Sequence, residues 1–318
     1  MSNYPFRLVR HEAEQPPDPQ LLAQRPFART DHSFAADARR FVPGEQLETA
    51  INTAIAVGEP LLLTGEPGTG KTQAAYYCAY KLGIEPVIHF QVKSDSTARD
   101  LLYHFDTVRY FYDAHLASLN QPGAGRLAPN KRDYIERRAL WEAFERASVK
   151  QVPQVLLIDE IDKAPRDFPN DLLLELDKMQ FTIVETGEEV SSPRQLRPIV
   201  IITSNSERRL PEPFLRRCVY HHIQFDDALV EQAVFNRRDE YANLSEDFLR
   251  LAIQRFQALR DQSLRKRPAT GELLVWLRVL ALATGSDESR LSGDLGGLPY
   301  LGVLLKDRQD IEGLGRPS

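Results

Sequence analysis

Gly65-Glu66-Pro67-Gly68-Thr69-Gly70-Lys71-Thr72 is the stretch on which the reading of this chain turns. It matches G-x-x-x-x-G-K-[ST] and lies between an apolar run, Pro60-Leu61-Leu62-Leu63-Thr64, and a helix-like stretch, Thr72 to Leu82. Strand, glycine-rich turn and helix in that order are the context that gives the pattern its meaning. The glycines let the backbone turn tightly and aim N–H groups inward, so that Gly65, Glu66, Pro67, Gly68, Thr69, Gly70, Lys71 and Thr72 line a phosphate cradle at a helix N-terminus. In such a loop Lys71 reaches the β- and γ-phosphates of a nucleotide, and Thr72 places its hydroxyl on Mg²⁺. The bland alternative, a turn that merely joins strand to helix, is disfavoured by the flanks. The expectation is ATP and Mg²⁺ on this loop.

Four more apolar runs follow: Pro86-Val87-Ile88-His89-Phe90, Val155-Leu156-Leu157-Ile158, Ile199-Val200-Ile201-Ile202, and Val219 to Phe225. Continuous apolar runs that alternate with helical segments are the mark of a parallel sheet covered on both faces. The predicted fold is therefore α/β, a three-layer αβα P-loop core with a five-stranded parallel sheet. After Asp226 the strands stop, and helical patterns cover Asp227–Tyr241, Ser245–Asp261 and Thr270–Ala283. A small all-helical domain is expected there. The 318 residues exceed what one hydrophobic core usually organises, in keeping with two domains. The predicted boundaries are an extended arm over 1–40, rich in proline and charge, an α/β domain over 41–225, and a helical lid over 226–318. Its glycine-rich tail is expected to pack irregularly.

Composition excludes several classes. A hydrophobic content of 42% with 27% charged residues is that of an ordinary globular protein with ample core. The formal net charge of −5 gives no global attraction to nucleic acid or an anionic membrane. Cys78 and Cys218 have no metal-ligand spacing, which reads as a reduced, intracellular chain. Met1 to Arg10 has no apolar segment of a secretory signal, and no run approaches the roughly 20 apolar residues needed to span a bilayer. A cytoplasmic location is expected.

Three further motifs bear on chemistry. Leu156-Leu157-Ile158-Asp159-Glu160-Ile161-Asp162 puts acids at the end of a buried strand. Asp159 suits a hydrated Mg²⁺, and Glu160 suits the orientation or deprotonation of an attacking water. Acids at a strand end are common, but together with the phosphate loop they mark the carboxyl edge of one sheet. Thr203-Ser204-Asn205 ends the fourth run. Asn205 either holds the same water or caps the next turn, and the residues alone leave both open. In Leu210-Pro211-Glu212-Pro213-Phe214-Leu215-Arg216-Arg217-Cys218, Arg216 and Arg217 suit a finger that stabilises transition-state charge, or else a solvated basic turn. Arg208 and Arg209 are further candidates.

These four motifs, in this order and spacing, resemble the AAA+ ATPases, and most of all the MoxR group with its helix-2 insert; the likeness runs from about Glu45 to Ala283. The resemblance implies an ATP-hydrolysing, chaperone-type remodelling machine, a homo-hexameric ring with the nucleotide between subunits. It implies that Asn205 is sensor 1 and Arg217 the arginine finger, with Arg216 beside it. It places a pore-facing insert at about 91–110 and a β-hairpin at about 181–198, containing Thr186-Gly187-Glu188. A von Willebrand factor A domain protein is the partner it suggests. One departure stands out: the position matched to the basic sensor 2 residue is Gly271. Either Arg265, Lys266 or Arg267 takes that role, or the residue is absent.

Three other functions compete. A nucleic-acid motor of the same fold is opposed by the acidic charge, although Lys93 and Arg99 would put cations in the insert. A GTP-using variant draws on Asn130-Lys131-Arg132-Asp133, which resembles a guanine-reading motif but precedes Asp159 and opens a predicted helical stretch, Tyr134 to Ala147. The third reading is a nucleotide-gated scaffold with little turnover, favoured by Gly271 and opposed by Glu160.

Overall fold

The structure is a computed structural model and describes residues 34–120, 129–283 and 285–314. Most of the predicted N-terminal arm, residues 1–33, lies outside the described residues. The chain divides into two units, one of Pro43–Glu66 and Gly70–Ile223, the other containing 34–42, Pro67–Thr69 and 224–314.

In chain order the described elements begin with α1 (Phe34–Ala38), α2 (Glu45–Val57), β1 (Leu61–Gly65), α3 (Lys71–Leu82), β2 (Ile88–Gln91), α4 (Ala98–Leu102), β3 (Tyr103–Phe105), α5 (Thr107–Asn120), β4 (Ile135–Arg137) and α6 (Ala139–Lys150). They continue with β5 (Val155–Asp159), α7 (Phe168–Asp171), α8 (Leu173–Lys178), β6 (Gln180–Thr182), β7 (Glu189–Ser191), β8 (Ile199–Ser204), α9 (Glu212–Leu215) and β9 (Val219–Ile223). The helical unit holds α10 (Asp227–Phe235), α11 (Glu246–Arg260), α12 (Thr270–Ala283), α13 (Leu301–Leu304) and α14 (Arg308–Leu314).

The five predicted apolar runs form one parallel sheet in the order β2-β5-β8-β1-β9. Strands β1 and β5 are buried along their whole length, as continuous apolar sequence requires between two helical layers. The edge strands alternate instead. In β2 only Ile88 is fully buried while His89 and Gln91 are not, and β9 exposes Tyr220. Helix α3 lies against β1, β5 and β8. Its buried residues Ala74, Ala75, Cys78 and Ala79 are small, which allows a close approach to the sheet. This packing fixes the phosphate loop beside the ends of β5 and β8.

Around this core, the predicted insert at 91–110 covers the end of β2, α4, β3 and the start of α5. Strand β3 then pairs antiparallel with β4, so the excursion closes only at Ile135–Arg137. This corrects the predicted helix over Tyr134 to Ala147: β4 occupies its first part, because Tyr103 pairs with Arg137 and Phe105 with Ile135, and the helix starts at Ala139. Strands β6 and β7 form an antiparallel hairpin within and just before the span 181–198. The turn of that hairpin is tied to the excursion. The Tyr103 hydroxyl accepts from the Val184 N–H at 3.0 Å and donates to Glu185 at 2.9 Å, and Arg99 pairs with Glu185.

The helical unit has its own core, with Trp276, Tyr241, Phe248 and Phe256 all fully buried. Its helices begin where the sequence places caps: Asp226 accepts from the Ala228 N–H and Ser245 from the Phe248 N–H. Arg40 joins this unit through ion pairs of 2.8 Å to both Asp239 and Glu240. The glycine-rich tail is more regular than predicted. It forms short helical turns that bury Leu291, Leu298, Leu301 and Leu304 in the unit's core, since apolar spacing between the glycines outweighs their freedom.

Candidate functional site

The loop between β1 and α3 turns through left-handed backbone at Gly68 (φ 78°) and Gly70 (φ 91°), where a side chain would be strained. Gly70 is the N-cap of α3, and the helix begins at Lys71. Lys71 is only 6% exposed, and its ammonium donates to the carbonyls of Gly65 (2.9 Å) and Glu66 (2.8 Å). Burial draws its pKa below the ordinary lysine value, against the opposing pull of Asp162, Asp159, Glu160 and Glu66. A cation held this way, at the mouth of a helix N-terminus, suits an anion with several negative oxygens.

Thr72 follows on the first turn of α3. Its hydroxyl donates to Asp159, 3.0 Å from Oδ1 and 3.3 Å from Oδ2. The pairing exists because α3 packs over β5, whose last residue is Asp159. Asp159 is nearly buried, and three side chains serve its carboxylate: Thr72, Thr203 (2.5 Å to Oδ1) and His89 (3.2 Å to Oδ2). Burial alone would raise the pKa of this acid. The hydrogen bonds from His89, Thr203 and Thr72 outweigh it and hold the carboxyl below its ordinary value.

Glu160 ends the strand in left-handed backbone, φ 60°. That geometry is uncommon for a residue with a Cβ and is sustained by the Thr203 hydroxyl, which accepts the Glu160 N–H at 2.8 Å. Thr203 thus ties both acids to β8. The Glu160 carboxylate accepts from Asn205 (3.3 Å to Oε1) and from Gln91 (2.7 Å to Oε2), and pairs with Lys163. Asp162, 3% exposed, accepts the N–H groups of Asn205 (3.2 Å) and Glu207 (2.9 Å), which fastens the loop after β8 to the turn after β5.

The structure therefore brings together Lys71, Thr72, Asp159, Glu160 and Asn205 from three non-adjacent segments. Asn205 points its amide at Glu160, donating to Oε1. Arg216 and Arg217 stand apart from this group. Arg217 pairs with Asp177 at 2.6 Å and donates to the Pro213 carbonyl, and Arg216 reaches Glu212 at 3.4 Å. Arg208 donates to the Ala164 carbonyl. Asn130, from the guanine-like motif, accepts the Arg132 N–H at 3.1 Å and caps a helical turn over Lys131–Tyr134. Gly271 lies in the first turn of α12, and a Cβ there would meet nothing within 4 Å. The backbone of Arg265 and Lys266 donates to Asp310.

Sequence reading missed the roles of His89, Gln91, Thr203 and Asp162. A signal existed for the first two. In an otherwise apolar strand, polar residues two apart share one face.

The donor set is of hard oxygens, a hydroxyl and a carboxylate, as Mg²⁺ prefers. No group of three or more His, Cys, Asp or Glu able to hold a metal exists among the described residues. A metal here would draw its remaining ligands from water and phosphate, the usual mode for Mg²⁺. No helix among the described residues is long and apolar enough to cross a membrane.

Comparison with solved structures finds chains of low identity. A protein of Cytophaga hutchinsonii, provisionally described as an ATPase, shares 16% identity over 88% of this chain and 92% of its own, with a TM-score of 0.40. NtrX from Brucella abortus in complex with ATP shares 17% identity over 89% of this chain, with a TM-score of 0.45, and the complex with ADP shares 15% over 90%, with a TM-score of 0.48. The chain spans about three fifths of NtrX, 60% and 61% in the two structures. No curated protein matches the sequence. The family model for the AAA domain of the dynein-related subfamily does match, over residues 60–218, half of the chain and the whole run from β1 past Arg217. On that match, the chain belongs to the AAA domain family, dynein-related subfamily.

Proposed function

We propose that this protein is a MoxR-like ATP hydrolase that works as a ring oligomer, a hexamer by resemblance, and remodels a protein client. The observation that carries hydrolysis is the double use of Thr203 and Asn205. The Thr203 hydroxyl accepts the Glu160 N–H and donates to Asp159, and the Asn205 amide donates to the Glu160 carboxylate.

In this reading the loop Gly65–Thr72 binds the phosphates, and Lys71 leaves its carbonyl partners to neutralise the β- and γ-oxygens. Thr72 and Asp159 would hold Mg²⁺, which when bound would supply charge neutralisation to the phosphates. Glu160 accepts a proton from water, and Asn205 orients that water together with the carboxylate. Release from Lys163 and Gln91 would free Glu160 for this task.

Arg217 completes the site of a neighbouring subunit, with Arg216 beside it. Its support is indirect: both arginines are exposed, and they pair with Glu212 and Asp177 rather than with Asp159 or Glu160. A von Willebrand factor A domain protein is the client class we propose, on resemblance alone. Action on nucleic acid is disfavoured by the net charge of −5, and guanine recognition by the commitment of Asn130 to a turn.

The test is phosphate release and nucleotide binding by the wild type and Glu160→Gln. Loss of a general base predicts a fall in turnover of about 10²- to 10⁴-fold with binding retained. Unchanged phosphate release would overturn the role of Glu160, and absence of ATP binding by the wild type would overturn the reading as a whole.

A further inference from the structure

We propose that His89 is a positioning residue for the metal-holding carboxylate of Asp159, and that Tyr76 holds it in place. The proposal rests on the reading of Thr72 and Asp159 as the Mg²⁺ ligands and concerns two residues to which that reading gives no part.

The geometry is a chain of hydrogen bonds whose two ends lie on helix α3. Asp159 accepts from Thr72 and, on Oδ2, from His89 Nε2 at 3.2 Å. The other ring nitrogen, His89 Nδ1, lies 3.1 Å from the Tyr76 hydroxyl. Tyr76 sits four residues after Thr72 on α3, one helical turn away and on the same side. The path Thr72, Asp159, His89, Tyr76 therefore leaves α3 and returns to it one turn later. It ties together the phosphate-loop helix, the interior strand β5 and the edge strand β2.

Chemistry assigns the protons. An ionised carboxylate only accepts, so in the neutral imidazole Nε2 carries the hydrogen and Nδ1 accepts from the tyrosine. The carboxylate thus sets the tautomer, and the tyrosine hydroxyl holds it by donating to Nδ1. Its ring also meets the imidazole edge to face, centroids 6.1 Å apart at 78°, which fixes the plane of His89. Thr203 holds Oδ1 and His89 holds Oδ2, so the carboxylate cannot rotate about its own axis without losing a partner. Residues that orient a metal's carboxylate ligand in this manner tune affinity for the ion without touching it.

A core-packing role for His89 would be indifferent to metal. Its side chain is 25% exposed on an edge strand, so removal of its donor should leave the sheet intact. The experiment measures affinity of the full chain for a fluorescent ATP analogue, first in EDTA and then along a Mg²⁺ titration. For His89→Phe the Mg²⁺ concentration giving half of the metal-dependent gain should rise about 10-fold or more, with affinity in EDTA within about twofold of wild type. His89→Gln, which can keep a donor, should recover part of the shift. Tyr76→Phe should move the midpoint in the same direction by about two- to threefold.

An unchanged midpoint in His89→Phe overturns the proposal, and so does an equal loss in EDTA and in Mg²⁺. Should His89→Phe fail to fold, Tyr76→Phe and His89→Gln decide it by the same midpoints. Asp159→Asn serves as the control for the underlying reading. If it shifts the midpoint and His89→Phe does not, only the role of His89 falls; if neither shifts it, the metal site itself falls.

Discussion

Two pairs of neighbouring charges, Asp159-Glu160 and Arg216-Arg217, end up in opposite circumstances. The acids sit at the end of a buried strand with side chains 7% and 28% exposed, and six side chains from four segments contact them. The arginines are 76% and 45% exposed, each with a single acid for company. Burial and multiple hydrogen bonds make the first pair a preorganised arrangement in which each oxygen has a defined partner. Exposed ion pairs are weak and screened by salt, so the second pair is free to exchange partners. The difference separates the part of the proposed chemistry already assembled within one chain from the arginines, for which we propose a role in a neighbouring subunit.

The largest expected effect tests that division. Arg217→Ala should lower ATP turnover by about 10³-fold while ATP binding persists. Mixing it with Lys71→Ala subunits should restore part of the activity in a steady-state phosphate assay. Absence of recovery would count against a finger that acts between subunits. Next, Lys71→Ala should weaken ATP binding by roughly 100-fold in a calorimetric titration, since charge-assisted contacts to phosphate contribute about 3 kcal/mol. Normal affinity would remove the phosphate loop from the site.

Stability sharpens the contrast further. Thr203→Val deprives the Glu160 N–H of its acceptor and Asp159 of a donor, and should cost about 1–3 kcal/mol in urea unfolding. Arg216→Ala should cost less than about 0.5 kcal/mol, because its single ion pair is exposed. Equal costs would mean that the acid pair is no better supported than the arginines.

The smallest effect uses the two thiols. Cys78 is buried on α3 and Cys218 follows Arg217 directly. Burial pushes Cys78 up to about 11 and Cys218 up to about 12. Both should resist iodoacetamide at pH 8 in the native protein and react once it is unfolded in urea, as followed by mass spectrometry. Rapid native labelling of Cys218 alone would show that the arginine segment opens as a unit.

Much of this was legible in sequence for a local reason. The phosphate loop is contiguous, so its glycines, lysine and threonine declare themselves by spacing, and each sheet strand is a short apolar run between polar segments. Residues that support the acids do not declare themselves this way. Thr203 was visible within Thr203-Ser204-Asn205, yet nothing in that tripeptide says that its hydroxyl serves two acids more than forty positions earlier. The strand β4 was hidden for a related reason. Three residues, Ile135–Arg137, carry too little pattern to be separated from the helix that follows, and only pairing with β3 makes them a strand.

What the sequence determined by itself is the phosphate loop, the parallel sheet, the helical region after Asp226 and the acids at the end of β5, because each is encoded in consecutive residues. What the tertiary structure decided is the company these groups keep. The order β2-β5-β8-β1-β9 puts the second and fourth runs on either side of the third, so His89 and Gln91 from one neighbour and Thr203 and Asn205 from the other close on Asp159 and Glu160. Strand order in a parallel sheet is set by crossover connections and helix packing rather than by the periodicity of any single strand. The fourfold support of the acid pair therefore becomes visible only when the sheet is assembled.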